Sequence, residues 1–198
     1  MISAIILAAG QSRRMGRPKL LLPWGSTTVL EHVIAVFANA GIEDTLIVTG
    51  GAQEQMQEII LKCSENYPVR SIYNEDYENG EMLSSIQCGL RDLTEKAFGA
   101  AMIGLGDQPQ VQESSVRAVR DAFLQTGNHL VVPSFQMRRG HPWLVARPLW
   151  DQILEMGVPQ TPRDFLNTHD KNIHYVDTES ASVLEDLDTP EKYRASRP

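Results

Sequence analysis

The chain predicts an α/β fold with a mostly parallel sheet, and three observations carry the prediction. Short apolar runs alternate with longer segments of helical spacing, four times between residues 2 and 133. The runs are continuously apolar rather than alternating, as strands covered on both faces are. Glycine- and proline-bearing turns punctuate them. The 198 residues, 42% apolar and 22% charged, suit one globular domain spanning 1–198 and argue against disorder.

Ile2–Leu7 is isoleucine-rich and reads as the first buried strand. Gly10 to Trp24 is a long loop rich in Gly, Arg and Pro. Thr28–Ala40 places Val29, Val33, Val36 and Phe37 at helical spacing, and Gly41 stops it. Thr45–Thr49 is a strand, Gln53–Cys63 a helix and Val69–Tyr73 a strand. The polar turn NEDYENG ends at Gly80, and Met82–Leu93 follows as a helix. Ala100–Leu105 is a strand stopped by Gly-Asp-Gln-Pro. Glu113–Leu124 carries Val116, Val119, Ala122 and Phe123 on one helical side, and Leu130–Pro133 is a strand. Such cycles imply right-handed βαβ crossovers. The rhythm then changes. Ser134–Val145 reads as a hairpin or an antiparallel excursion. Pro148–Glu155 and Thr161–Asn167 are short helices and Ile173–Val176 a late strand. Thr189–Ala195 is a final helix, capped by Thr189 with Pro190 at its first position.

Composition excludes several classes. A net charge of −7 and a pI near 5.2 argue against a nucleic-acid partner. Cys63 and Cys88 lack CxxC or histidine spacing, so neither a zinc site nor a disulfide framework is expected. The start MISAIILAAG has no basic n-region, and no later stretch is long and apolar enough for a membrane span. The expectation is a cytoplasmic protein.

The loop after the first strand is the main chemical signal. It leaves the carboxyl end of a strand, where open α/β sheets place ligands. Ala8, Ala9 and Gly10 let backbone N–H groups approach an anion. Ser12 adds a hydroxyl donor. Arg13, Arg14, Arg17 and Lys19 gather four cations within seven residues of an acidic chain, which suits a triphosphate. Neither GxxxxGK[ST] nor GxGxxG is present, so this is not a P-loop or a dinucleotide fingerprint. A solvated basic loop is the competing reading.

LAAGQSRRMGRPK resembles the LAAGxSxRMGxxK signature of the molybdenum cofactor nucleotidyltransferase family, the MobA-like NTP transferases. Four elements match in order from Ile5 to Tyr193, and the molybdopterin cytidylyltransferase branch is the most similar. The resemblance implies a Rossmann-like three-layer α/β/α fold of the nucleotide-diphospho-sugar transferase type. It implies that Leu7, Ala8, Ala9 and Gly10 pack around the nucleotide. Arg14 and Lys19 fall at the motif's basic positions and would neutralise the triphosphate. Arg13 and Arg17 fall at variable positions. The Gly106-Asp107-Gln108-Pro109 tetrad matches the family's GDxP, whose aspartate binds Mg²⁺, with Mn²⁺ as an alternative. LEDLDTPEKY is similar to the family's DxDTPEDY. By that likeness Asp188 is the second metal ligand and Asp186 the alternate. The two, spaced by two on an extended stretch, are expected to share a face.

Gly80, Met82, Ser84 and Ser85 match an element that contacts base and ribose in this branch. Gly140-His141-Pro142 matches its acceptor side. Arg138 and Arg139 either meet the acceptor phosphate or decorate a solvated hairpin tip. LAAG in place of LAGG leans toward CTP over GTP. The implied reaction is transfer of CMP to the terminal phosphate of molybdopterin, with pyrophosphate released. The alternatives are another phosphorylated acceptor, or a non-catalytic protein that holds finished cofactor for a molybdoenzyme client.

Overall fold

A computed structural model describes the backbone of residues 1–198 and every side chain except that of Arg13, which lies outside the described residues. In chain order the elements are β1 (Ile2–Ala8), β2 (Pro23–Trp24), β3 (Thr27–Thr28), α1 (Val29–Asn39), β4 (Asp44–Thr49), α2 (Gln53–Ser64), β5 (Val69–Tyr73), α3 (Glu81–Thr94), β6 (Ala100–Leu105) and α4 (Glu113–Thr126). There follow β7 (Leu130–Phe135), β8 (Arg138–Arg139), β9 (Trp143–Ala146), α5 (Trp150–Leu154), α6 (Pro162–Thr168), β10 (His174–Asp177) and α7 (Pro190–Ser196).

The main sheet runs β10-β7-β9-β6-β1-β4-β5, with β8 paired to β7. Its βαβ strands are parallel to one another. β9 lies antiparallel between β6 and β7. The expected excursion is therefore two things: a tight β7–β8 hairpin, and a return strand inserted into the sheet. Gln136 and Met137 turn the hairpin with φ of 50° and 63°, the left-handed pair that matches strand twist.

Alternation along the strands builds the layers. Ala4, Ile6 and Ala8 of β1 join Ile47, Met102 and residues of α1, α2 and α4 on one face. Ile5 joins Leu46, Val48, Ala101, Ile103 and residues of α3, α5 and α6 on the other. The helices start where capping chemistry puts them. Thr28 and Glu31 form a reciprocal capping box on α1, and Thr189 accepts the Lys192 N–H at 3.3 Å to cap α7.

This topology positions a site. The chain moves from β1 to β4 and β5 on one side, then crosses back to β6 on the other. A crevice opens at the carboxyl ends of β1 and β6, where such a switch places ligands. Among the described residues no helix is long and apolar enough to cross a membrane.

Candidate active site

The loop after β1 is folded rather than loose. Two single 3₁₀ turns, Arg13–Met15 and Lys19–Leu21, and the β2–β3 ribbon organise residues 13–28. Ser12 sits in the left-handed region at φ 51°. Its Oγ accepts the backbone N–H of Lys19 at 3.1 Å, and its carbonyl accepts the N–H of Met15 at 2.9 Å. The hydroxyl read from sequence as a ligand donor is thus also a brace of the loop. From the far side Gly50 seats the loop: a Cβ there would lie 2.7 Å from the Ala9 carbonyl and 2.8 Å from Tyr77 Cγ. Any side chain at Gly50 would push β1's exit away from β4.

The charged groups converge on one cation. Lys19 Nζ donates to Asp107 Oδ2 and, at 3.1 Å, to Asp188 Oδ1. Arg14 donates to the other oxygen of Asp188 at 2.9 Å. Lys19 and Asp107 are mostly buried, with side-chain exposures of 15% and 18%. Burial pushes the Lys19 ammonium down, but the two carboxylates outweigh it and hold its pKa above the ordinary lysine value. Burial likewise pushes Asp188 up, and Lys19 and Arg14 reverse this to leave it below the usual carboxylate range. Among the described residues Arg17 forms no ion pair.

Asp186 goes elsewhere. Its carboxylate takes Lys192 Nζ at 2.5 Å, so the two aspartates expected to share a face have different partners. The segment that carries them is irregular rather than a strand, yet burial alternates along it: Leu187 is buried and the flanking Asp186 and Asp188 are partly exposed. Leu187, fully buried between them, donates its N–H to the Asp107 carbonyl at 3.0 Å. That bond ties the C-terminal segment to the end of β6. Asp107 and Asp188 therefore face one point from two sides. Among the described residues no group of three histidine, cysteine or acidic side chains could hold a metal by itself. Two hard oxygen donors beside a phosphate loop fit Mg²⁺ or Mn²⁺, which take one or two carboxylates and complete their shell with phosphate and water.

A cavity of about 270 Å³ extends from this point, lined by Leu7, Ala8, Ala9, Gly10, Lys19, Leu20, Tyr77, Glu81, Met82, Ser85, Leu105 and Asp107. It joins the loop after β1 to the start of α3. Gly80 allows the tight entry, since a Cβ there would sit 2.2 Å from Ser84 Cβ. The serines are not helix caps. Asn74, buried at the end of β5, donates through Nδ2 to Ser84 Oγ at 2.9 Å and Ser85 Oγ at 3.1 Å, and accepts the Asp76 N–H at 3.1 Å. Asn74, Tyr77 and Gly50 escaped the sequence reading. The polar NEDY run after a strand was the one available signal for the first two.

The acceptor-side candidates divide. Gly140 donates to the Pro133 carbonyl at 2.8 Å, and His141 to the Val183 carbonyl at 2.9 Å. Both precede β9 at the same sheet edge as Asp107. Burial pushes the His141 imidazole down to about 4, so it is neutral at physiological pH. Arg139 is committed elsewhere. It donates to Tyr175 Oη at 2.9 Å and Asn167 Oδ1 at 2.8 Å, and pairs with Asp170. Those partners hold it on the β10 side of the sheet, so the structure does not bring it to the Lys19 cluster.

A loop of small residues, two cations and two opposed carboxylates thus meet at the switch point of a mostly parallel α/β sheet. The chain belongs to the family of the MobA-like NTP transferase domain, whose profile matches residues 4–173. It is 29% identical over 194 residues to the molybdenum cofactor cytidylyltransferase of Escherichia coli (strain K12), covering 97% of this chain and 93% of that protein. It is 27% identical over 203 residues to the nicotine blue oxidoreductase of Paenarthrobacter nicotinovorans, covering 96% and 94%. Among solved structures, Rv0371c from Mycobacterium tuberculosis H37Rv superimposes with a TM-score of 0.81 at 25% identity, covering 98% of this chain and 96% of that one. Another structure of that protein is a complex with manganese, with a TM-score of 0.77 at 23% identity over 98% and 96%.

Proposed function

We propose that this protein transfers CMP from CTP to the terminal phosphate of molybdopterin, releasing pyrophosphate with Mg²⁺ as the divalent cofactor. The observation that carries the reading is the bridge of Lys19 between Asp107 and Asp188 beside the cavity that joins the loop after β1 to α3. The near full-length likeness to a molybdenum cofactor cytidylyltransferase supports the choice of donor and acceptor.

The chemistry asks little beyond placement and charge. A phosphate monoester is nucleophilic at neutral pH, so attack on the α-phosphorus needs no general base. The small residues Ala8, Ala9 and Gly10 let the backbone approach the phosphates, and Ser12 and Gly50 hold that backbone in place. Lys19 and Arg14 supply positive charge where it is needed on the α-phosphate and the departing pyrophosphate. Asp107 and Asp188 would hold the cation, which when bound adds neutralisation of the phosphate oxygens. The neutral imidazole of His141 and the Gly140 backbone stand on the acceptor side.

The likeness to an oxidoreductase favours one second reading, in which the same framework binds a nucleotide for redox chemistry. The carboxylate pair around Lys19 speaks for phosphoryl chemistry instead. Incubation with CTP, Mg²⁺ and molybdopterin separates the readings. The proposal expects stoichiometric pyrophosphate and a cytidylylated pterin, with GTP as the poorer donor. Nucleotide binding without pyrophosphate would point instead to a protein that carries cofactor to a molybdoenzyme. Turnover with a different phosphorylated acceptor would move the substrate and keep the mechanism.

A further inference from the structure

Glu81 opens α3 with φ of 50°, a left-handed conformation that a glutamate rarely adopts. The glycine that could take it without strain is the preceding residue, Gly80, whose φ is an ordinary −90°. Strain at a non-glycine residue persists where its surroundings or its function hold it, and such residues cluster at ligand sites. Glu81 lines the nucleotide cavity.

Its side chain is exposed at the rim of the cavity, where water can solvate the charge until a ligand arrives. The other carboxylate of the cavity, Asp107, is answered by Lys19. Among the described residues no cation or hydrogen-bond donor meets the Glu81 carboxylate. A bare anion in a cavity for a triphosphate is tolerable only away from the phosphates. The phosphate end is fixed by Lys19, Arg14 and Asp107. Glu81 stands with Met82, Tyr77 and Ser85 at the α3 end, where apolar side chains suit a flat ring. A carboxylate can only accept hydrogen bonds. The nucleoside donors available to it are the exocyclic amino group of cytosine, guanine or adenine, the ring N–H of guanine or uracil, and the ribose hydroxyls.

We infer that Glu81 selects the nucleotide, its carboxylate accepting from the exocyclic amino group of cytosine or guanine. Uracil presents a carbonyl oxygen at the position where cytosine carries its amino group, so UTP would set acceptor against acceptor. The inference rests on the nucleotidyltransferase reading, because it takes the phosphate end of the cavity as given.

The test is isothermal titration of CTP, GTP, UTP and dCTP with Mg²⁺ into the wild type, Glu81→Gln and Glu81→Gly. The wild type should bind CTP or GTP more tightly than UTP. Charge-assisted hydrogen bonds of this kind discriminate by roughly 10–100-fold. Both variants should lose most of that ratio, the glutamine because its amide can donate as well as accept. Glu81→Gly, free to adopt the left-handed conformation, should melt no lower than the wild type, which separates loss of reading from loss of fold. An unchanged CTP-to-UTP ratio in both variants overturns the inference. So does a changed CTP-to-dCTP ratio with CTP against UTP intact, which would move Glu81 to the ribose. No binding of any triphosphate by the wild type would instead bring down the functional reading itself.

Discussion

Replacing Lys19 with methionine keeps most of the length of the unbranched side chain and deletes the charge between Asp107 and Asp188. The gross attraction lost at the 3.1 Å contact to Asp188 is about 5 kcal/mol at an effective dielectric of 20. Desolvation of the ammonium offsets much of this. The carboxylates are left facing each other at exposures of 18% and 27%. Removing one partner of a buried pair costs about 3–5 kcal/mol, and partial exposure brings the expectation to about 2–3 kcal/mol. For a chain of this length that is a fall in Tm of roughly 5–10 °C. The diagnostic is the response to metal. The bare carboxylate pair should bind Mn²⁺ better than the pair already occupied by an ammonium. Thermal melts with and without Mn²⁺, against NaCl at matched ionic strength, should show a larger metal-dependent rise for Lys19→Met than for the wild type. Equal metal responses would refute the idea that these two carboxylates form a divalent site. Unchanged melting without metal would refute the bridge.

Other expectations follow from the same geometry. Asp107→Asn and Asp188→Asn should each lower pyrophosphate release by roughly 10²–10³-fold, the scale of losing one charge-stabilising group. Asp186→Asn should leave the rate near that of the wild type, since Asp186 pairs with Lys192; equal losses at 186 and 188 would undo that separation. Asn74→Ala should cost about 1–3 kcal/mol by stripping the donor from two serines and the acceptor from Asp76. It should raise the KM for nucleotide more than it lowers kcat, and steady-state kinetics would reveal the reverse pattern. His141 gives a pH signature. The unfolded chain takes up its proton near 6.5 and the folded one near 4. The native state therefore loses stability as pH falls through that window, by at most about 3 kcal/mol. His141→Asn should flatten the dependence of Tm on pH there, and parallel curves for the two proteins would show that the ring is not enclosed.

The parallel framework was legible because its signals are local. Ile2–Leu7 and Ala100–Leu105 are apolar runs bounded by turn residues, and Thr28, Thr161 and Thr189 announce their helices through capping chemistry. Positions at the carboxyl ends of β1 and β6 followed from that framework and from the resemblance. What escaped depends on distance along the chain. Asp188 meets Lys19 across 169 positions, and β9 enters between β6 and β7 through pairings no local pattern encodes. Arg139 looked free because its partners, Asn167, Asp170 and Tyr175, lie about thirty residues on. Ser12 looked like a ligand donor because a hydroxyl's preference for a nearby backbone N–H is visible only once the loop is folded.

The tie between Leu187 and the Asp107 carbonyl has a consequence for biogenesis. The central strands β1, β4, β5 and β6, the loop after β1 and Asp107 are complete once residue 107 has been synthesised. Asp188 arrives much later, and Tyr193 then anchors its segment by donating to the Pro23 carbonyl at 2.6 Å. A nascent chain thus carries every residue that lines the cavity while half of the carboxylate pair is still missing. Such a chain should bind triphosphate without turning it over, so that synthesis itself delays activity until the sheet is closed. Ribosome-bound chains arrested with Asp188 still inside the exit tunnel would show this as retained CTP binding with no pyrophosphate release. Turnover by the arrested chain would place the second carboxylate outside the chemistry.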